Sequence, residues 1–150
     1  MQWGFLTAFI FGMSVWFLNV YPEWHKARIM VPGNLWTNTF IYRLAAEDPN
    51  ESSAVVLHSE GDYARYNRAH RGLYHFLENV LPVVFALPFT LYVYAFPSFV
   101  LACVYCVGRG IYSHGYAVYE YNGRTPGYIL ERTSMCTLLG LTLIAAIKTV

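Results

Sequence analysis

Charge is what this chain has least of. Only 13% of its 150 residues are charged, against about 25% in an ordinary soluble domain. The formal net charge is +1, too little for the basic field that nucleic acid requires, so nucleic acid is excluded as a partner. Three cysteines cannot build a disulfide framework. Cys103 and Cys106 form a CxxC, but inside an apolar stretch. At i, i+3 they read as small packing residues rather than as redox or metal groups. No P-loop, GxGxxG, HExxH or GxSxG pattern occurs, and no internal repeat. No metal site is expected.

What the chain has in quantity is apolar sequence, 56% of all residues. It falls into four segments: Met1–Val20, Asn79–Phe96, Ser98–Tyr119 and Thr133–Ile147. A membrane span needs about 20 residues, with roughly 17 as the lower limit. The fourth segment must therefore use its flanks, with Lys148 snorkelling to the headgroups. Met1–Val20 has no basic leader and no small-residue cleavage site, so it reads as a span rather than a signal peptide. Lipid requires every backbone polar group to be satisfied internally, which favours helices, and the period-2 alternation of a barrel is absent. The expectation is one all-α transmembrane domain, a four-helix bundle with helices near 1–22, 71–96, 98–121 and 132–149. A long loop spans 23–66, and a tight turn lies at Phe96-Pro97-Ser98.

Eight of the ten Lys and Arg residues fall in the two longer connections: Lys26, Arg28, Arg43, Arg65, Arg68, Arg71, Arg124 and Arg132. The positive-inside rule puts segments 23–70 and 121–132 on the cytosolic side, or the matrix side of an organelle. The membrane could be that of the endoplasmic reticulum or of a mitochondrion. Trp3, Tyr21, Trp24, Trp36 and Tyr128 sit near expected boundaries, where amphipathic rings favour the interface. In the long loop, Pro32-Gly33-Asn34 and Asp48-Pro49-Asn50 are turn signals, and Glu51 to Leu57 reads as a short helix. Its aromatic content argues that it packs on the membrane face or on a partner.

Two apolar stretches carry charge. Arg71, His75 and Glu78 lead into the second segment, and Arg109 and His114 lie within the third. A charge at membrane depth costs about 2.5–3.5 kcal/mol by insertion scales, so it faces a partner or a wet cavity. Arg71, His75, Glu78 and Pro82 share one helical face. Tyr105, Arg109, Tyr112, Tyr116 and Tyr119 share another. A Glu78–Arg109 pair inside the bundle is the expected polar cluster.

These residues also carry a resemblance. Arg71-x3-His75-x2-Glu78-Asn79 resembles the Arg-x3-Asn-x2-Glu signature that opens the second helix of the MAPEG family of membrane proteins in eicosanoid and glutathione metabolism. Val107-Gly108-Arg109-x2-Tyr112-x2-Gly115-Tyr116, followed by Arg124-x-Pro126-Gly127, is similar to the third-helix signature, especially in the microsomal glutathione transferase type-3 branch. Ala27-Arg28 matches more weakly. The chain departs from the pattern at His75, at Asn79 and at Ile29, and in the length of its first loop.

The resemblance implies a homotrimeric helix bundle with glutathione bound between subunits. By motif position Arg28, Arg71, His75, Glu78, Tyr112 and Tyr116 would bind glutathione, and Arg124 would stabilise its thiolate. Glutathione would be a co-substrate, transferred to lipophilic electrophiles or spent on reducing lipid hydroperoxides. Membrane lipids would be the surrounding partners. The alternative is a non-catalytic MAPEG-fold accessory subunit of a larger membrane complex, for example a mitochondrial respiratory one.

Overall fold

The computed structural model describes residues 2–29, 40–45 and 54–148. Four helices make up nearly all of it: α1 (Gln2–Lys26), α2 (Gly61–Val93), α3 (Ala95–Gly123) and α4 (Thr125–Lys148). Each is long and apolar enough to cross a membrane. A two-stranded antiparallel hairpin, β1 (Tyr42–Ala45) and β2 (Ala54–Leu57), precedes α2, with Tyr42 opposite Leu57 and Ala45 opposite Ala54. The fold is thus the expected all-α membrane bundle with one small β addition.

α3 is the hub, packed against all three other helices. Its Ala102, Tyr105 and Cys106 meet Leu73, Phe76, Val83, Ala86 and Leu87 of α2, with Leu18 of α1 and Leu138 of α4 closing the core. The outward faces keep Phe5, Phe9, Trp16, Phe85, Phe89 and Leu143 exposed, which suits a hydrocarbon surround. Hydroxyls along the helices bond back to carbonyls one turn earlier: Thr7 to Trp3, Thr90 to Ala86, Ser134 to Leu130 and Thr142 to Leu138. Such bonds satisfy a hydroxyl that lipid cannot.

The helix ends differ from the expectation in an instructive way. α2 starts at Gly61, ten residues before Arg71, because a helix rising past the lipid can be polar there, and hydropathy does not register it. α4 starts at Thr125 rather than near 132. Pro126 stands in its first turn, where the missing N–H costs nothing. The connection between α3 and α4 therefore shrinks to Arg124. The α2–α3 break falls at Tyr94, not at Phe96-Pro97-Ser98, and Pro97 lies in the first turn of α3. Ala54–Leu57 is a strand, not the end of a short helix. The turn signals at 32–34 and 48–50, Trp36 and residues 51–53 lie outside the described residues.

The hairpin is tied to α2 by Asn67, with an exposed Arg43–Glu60 pair at 2.7 Å at the start of the helix. Asn67, buried, accepts from the Ile41 N–H at 2.8 Å through Oδ1. Its Nδ2 donates to the carbonyls of Ile41 at 2.8 Å and His58 at 3.0 Å. Phe40 packs edge-on to His70 and stacks on Tyr74. Asn67→Ala removes all three bonds and should loosen the hairpin without unfolding the bundle. A buried amide partner is worth about 1–3 kcal/mol, so amide exchange at Ile41 should accelerate about tenfold or more by mass spectrometry, while α3 stays protected. Unchanged exchange would mean that Asn67 does not hold the hairpin.

Candidate functional site

Glycine decides how α3 and α4 meet. A Cβ on Gly127 would lie 2.2 Å from the Tyr112 nitrogen and 2.5 Å from the Gly108 carbonyl oxygen. A Cβ on Gly108 would lie 2.8 Å from the Glu131 nitrogen, while one on Gly115 would lie 2.1 Å from the carbonyl oxygen of Gly123, where the end of α3 folds back past the break at Glu120 just before α4. Backbone therefore touches backbone along the seam, the close approach that small residues permit between membrane helices. This contact brings the polar residues of α3 and α4 within reach of each other.

At the seam lies Arg109, fully buried. Its Nη1 donates to Glu131 Oε2 of α4 and to His75 Nδ1 of α2 at 2.8 Å. Nη2 donates to the Gly72 carbonyl of α2 at 2.9 Å. Three helices are thus joined through one guanidinium. Its flat face lies over Tyr112, 4.8 Å from the ring centre, and over Phe76. An arginine does not give up its proton in a protein, so His75 Nδ1 must be the acceptor and the ring is neutral with its proton on Nε2. Arg132 extends the network, donating to Asn79 Oδ1 at 2.7 Å. Asn79 Nδ2 donates to the His75 carbonyl at 2.7 Å.

Glu78 is not the partner of Arg109. It accepts from Arg71 at 3.0 Å, and both side chains are about half exposed, at 51% and 50%. The buried carboxylate is Glu131, which the expected boundary of α4 had placed outside the helix. The Arg71–His75–Glu78 face is likewise the edge of α2. Its inward face runs through Gly72, Leu73, Phe76 and Val83, about one residue and so about 100° further round. On α3 the expected stripe holds for Tyr105, Arg109 and Tyr112, which are buried. Tyr116 is half-buried and Tyr119 exposed, and just beyond them the helical backbone breaks at Glu120 (φ 62°, ψ −146°).

His75 stacks on Tyr112, their centres 4.8 Å apart, and both face a cavity of about 390 Å³ lined also by Tyr121, Arg124, Thr125 and Tyr128. Arg124 is sandwiched by aromatic faces, 4.1 Å from the Tyr121 centre and 5.3 Å from that of Tyr116. Burial works against its charge, but the hydroxyls of Tyr121 and Tyr112 more than offset this and raise its pKa above the ordinary arginine value. It is a fixed cation on a wall of hydroxyl groups.

Of the residues expected to form a site, His75, Tyr112 and Arg124 line this cavity, and Tyr116 backs it. Arg71 and Glu78 pair with each other outside its lining. Arg28 is exposed in the turn after α1. Tyr121, Thr125, Tyr128 and Glu131 were not expected. Glu131 had a readable signal: Gly127, Glu131, Ser134, Leu138 and Ala145, the buried residues of α4, follow a seven-residue repeat.

The chain matches the sequence model of the MAPEG family over residues 33–147, and it belongs to that family. With four span-length apolar helices it is an integral membrane protein. A comparison with curated proteins returns no match.

Proposed function

We propose that this protein is a glutathione-dependent transferase of the membrane, acting on lipophilic electrophiles. The observation that carries the reading is the cavity of about 390 Å³ with Arg124 fixed in its wall beside Tyr112 and Tyr121. That volume falls in the range of small-molecule sites, about 300–1,000 Å³. A free cysteine thiol ionises near pH 8.5, and an adjacent guanidinium lowers that value. Arg124 would hold the thiolate of glutathione, and Tyr112 would donate a hydrogen bond to it. The thiol proton leaves to water. The sulfur then forms a bond to an electrophilic carbon arriving from the lipid side, and a leaving group departs or an activated double bond takes up a proton. The same thiolate could reduce a lipid hydroperoxide, with a second glutathione completing a disulfide.

Arg71, Glu78 and Arg28 would bind the charged ends of the tripeptide. A guanidinium takes a carboxylate in a two-pronged bond, and Glu78 suits the ammonium. Arg71 and Glu78 are half exposed, so they could complete a site with a neighbouring copy. The trimer and the type-3 branch belong to this reading.

A non-catalytic MAPEG-fold subunit of a larger membrane complex is the second reading, and one observation favours it. His75, which the family pattern turns toward glutathione, is engaged by Arg109, and Asn79 by Arg132. The two readings separate on Arg124→Ala. In a transferase each pKa unit lost from the thiol changes the thiolate fraction about tenfold, so conjugation of an activated aryl halide should fall at least about tenfold in kcat. Glutathione affinity should change less, because the interaction is gained on ionisation. A purified wild-type protein that neither binds glutathione nor conjugates it would overturn the transferase reading.

A further inference from the structure

A second cavity, of about 200 Å³, lies under the hairpin. Phe40, Leu57 and His58 form its roof, Arg68 and Arg71 of α2 its floor, and Tyr116 of α3 its back wall. Among the described residues, none that lines it is a carboxylate, while two are arginines and one is a histidine. Ser59 and Asn67 add neutral polar groups, and the other described lining residues, Phe40, Leu57, Ala64 and Tyr116, are aromatic or aliphatic. A wall with cations on one side and apolar groups on the other suits an amphiphile with an anionic head.

The two arginines have partners, but exchangeable ones. Arg71 pairs with the half-exposed Glu78. Arg68 pairs at 3.3 Å with Glu120, whose side chain is 71% exposed, and donates through Nε to the Ala117 carbonyl. Exposed ion pairs hold weakly, and an arginine has five N–H donors. Depth agrees as well. Arg71 precedes the uncharged run beginning at Asn79 by eight residues, roughly 12 Å of helix, so the cavity sits at headgroup level rather than among the acyl tails.

We infer that this cavity seats the oxyanion head of a membrane lipid, with the first methylenes of its chain on Phe40, Leu57 and Tyr116. Asn67 holds the roof in place. The lipid site borders the proposed glutathione site through Arg71 and Tyr116, but it does not rest on that reading. It is assigned to Arg68 and the hairpin, and its test contains no glutathione.

The full chain is placed in phosphatidylcholine nanodiscs containing a minor fraction of phosphatidic acid. Lipid retained after release is then counted by native mass spectrometry. Phosphatidic acid should be retained selectively, one molecule per chain. Arg68→Gln, which removes a charge-assisted bond, should cut that retention about tenfold. Leu57→Trp should do the same by filling the cavity from an exposed strand position. Retention is compared only for variants that keep wild-type helical circular dichroism, and either variant alone suffices. Equal retention of phosphatidylcholine, unchanged retention in the variants, or displacement of the lipid by inorganic phosphate at millimolar concentration would overturn the inference. The last outcome would mean a free-anion site.

Discussion

Glu131→Ala should be among the most damaging single substitutions in this protein. It leaves the Arg109 guanidinium, fully buried, without its carboxylate. Removing one partner of a buried ion pair costs about 3–5 kcal/mol, because an uncompensated charge stays in a medium that solvates it poorly. Lipid offers no water to repair the loss. The neutral His75 ring and the Gly72 carbonyl can accept from Arg109, but neither carries charge. The double variant Arg109→Met with Glu131→Leu removes the charges together and should recover most of the stability. A residual deficit is expected, since His75 Nδ1 then loses its donor. The check is thermal unfolding in detergent, with both singles and the double compared as a cycle. A Glu131→Ala protein that unfolds like wild type would show that the pair does not hold the helices. A double variant worse than both singles would show that its value lies elsewhere.

Gly127→Ala should rival it through a different mechanism. The added methyl would meet the Tyr112 nitrogen at 2.2 Å and the Gly108 carbonyl oxygen at 2.5 Å. Overpacking commonly costs about 1–3 kcal/mol and sometimes more. Here the obstacle is backbone, which cannot swing aside as a side chain does. α4 must move away from α3, and Glu131 lies one turn further along the same face, so the Arg109–Glu131 bond lengthens as well. The two losses are coupled and should exceed a simple clash. Gly140→Ala is the control. Nothing lies within 4 Å of its added methyl, and alanine favours helix over glycine by up to about 1 kcal/mol. It should be neutral or stabilising. If both variants express and unfold alike, the glycine seam is not a determinant of the bundle.

The four spans were legible because hydropathy and length are direct consequences of the lipid environment. Arg109 was legible as a buried polar centre for the same reason: lipid leaves a charge few other places. Its partner was not. A carboxylate was required, and Glu78 was the one placed on a charged face leading into an apolar run. Glu131 stood outside the fourth apolar segment as hydropathy bounds it. The helix in fact begins at Thr125 with Pro126 in its first turn, a start signal that apolar length overrides when it is used alone. The face of α2 was displaced for a related reason. Arg71, His75 and Glu78 are spaced for one face, but spacing does not say whether that face points inward. The buried side is marked instead by Gly72, Leu73 and Phe76.

The cavity was partly legible. His75, Tyr112 and Arg124 were drawn from motifs, and they share a lining. Tyr121, Thr125 and Tyr128 depend on the tightness of the α3–α4 connection, which turns on the broken helical backbone at Glu120 and on direct backbone contact between Gly115 and Gly123. Neither is a pattern in residue type. The hairpin escaped for another reason. Its anchor, Asn67, looks like any polar residue at a helix entrance until its three bonds to Ile41 and His58 are seen.

In the proposed transferase, Arg124, clasped by Tyr116 and Tyr121, would be the cation that ionises a thiol in the cavity beside it. The most direct test is the ultraviolet thiolate absorbance that develops when glutathione is added to the purified protein near neutral pH, with wild type and Arg124→Ala compared at saturation. The wild type should develop a thiolate signal that Arg124→Ala loses while still binding glutathione. A wild-type protein without a thiolate signal, or an Arg124→Ala variant that keeps it in full, would mean that Arg124 does not ionise a thiol in this cavity.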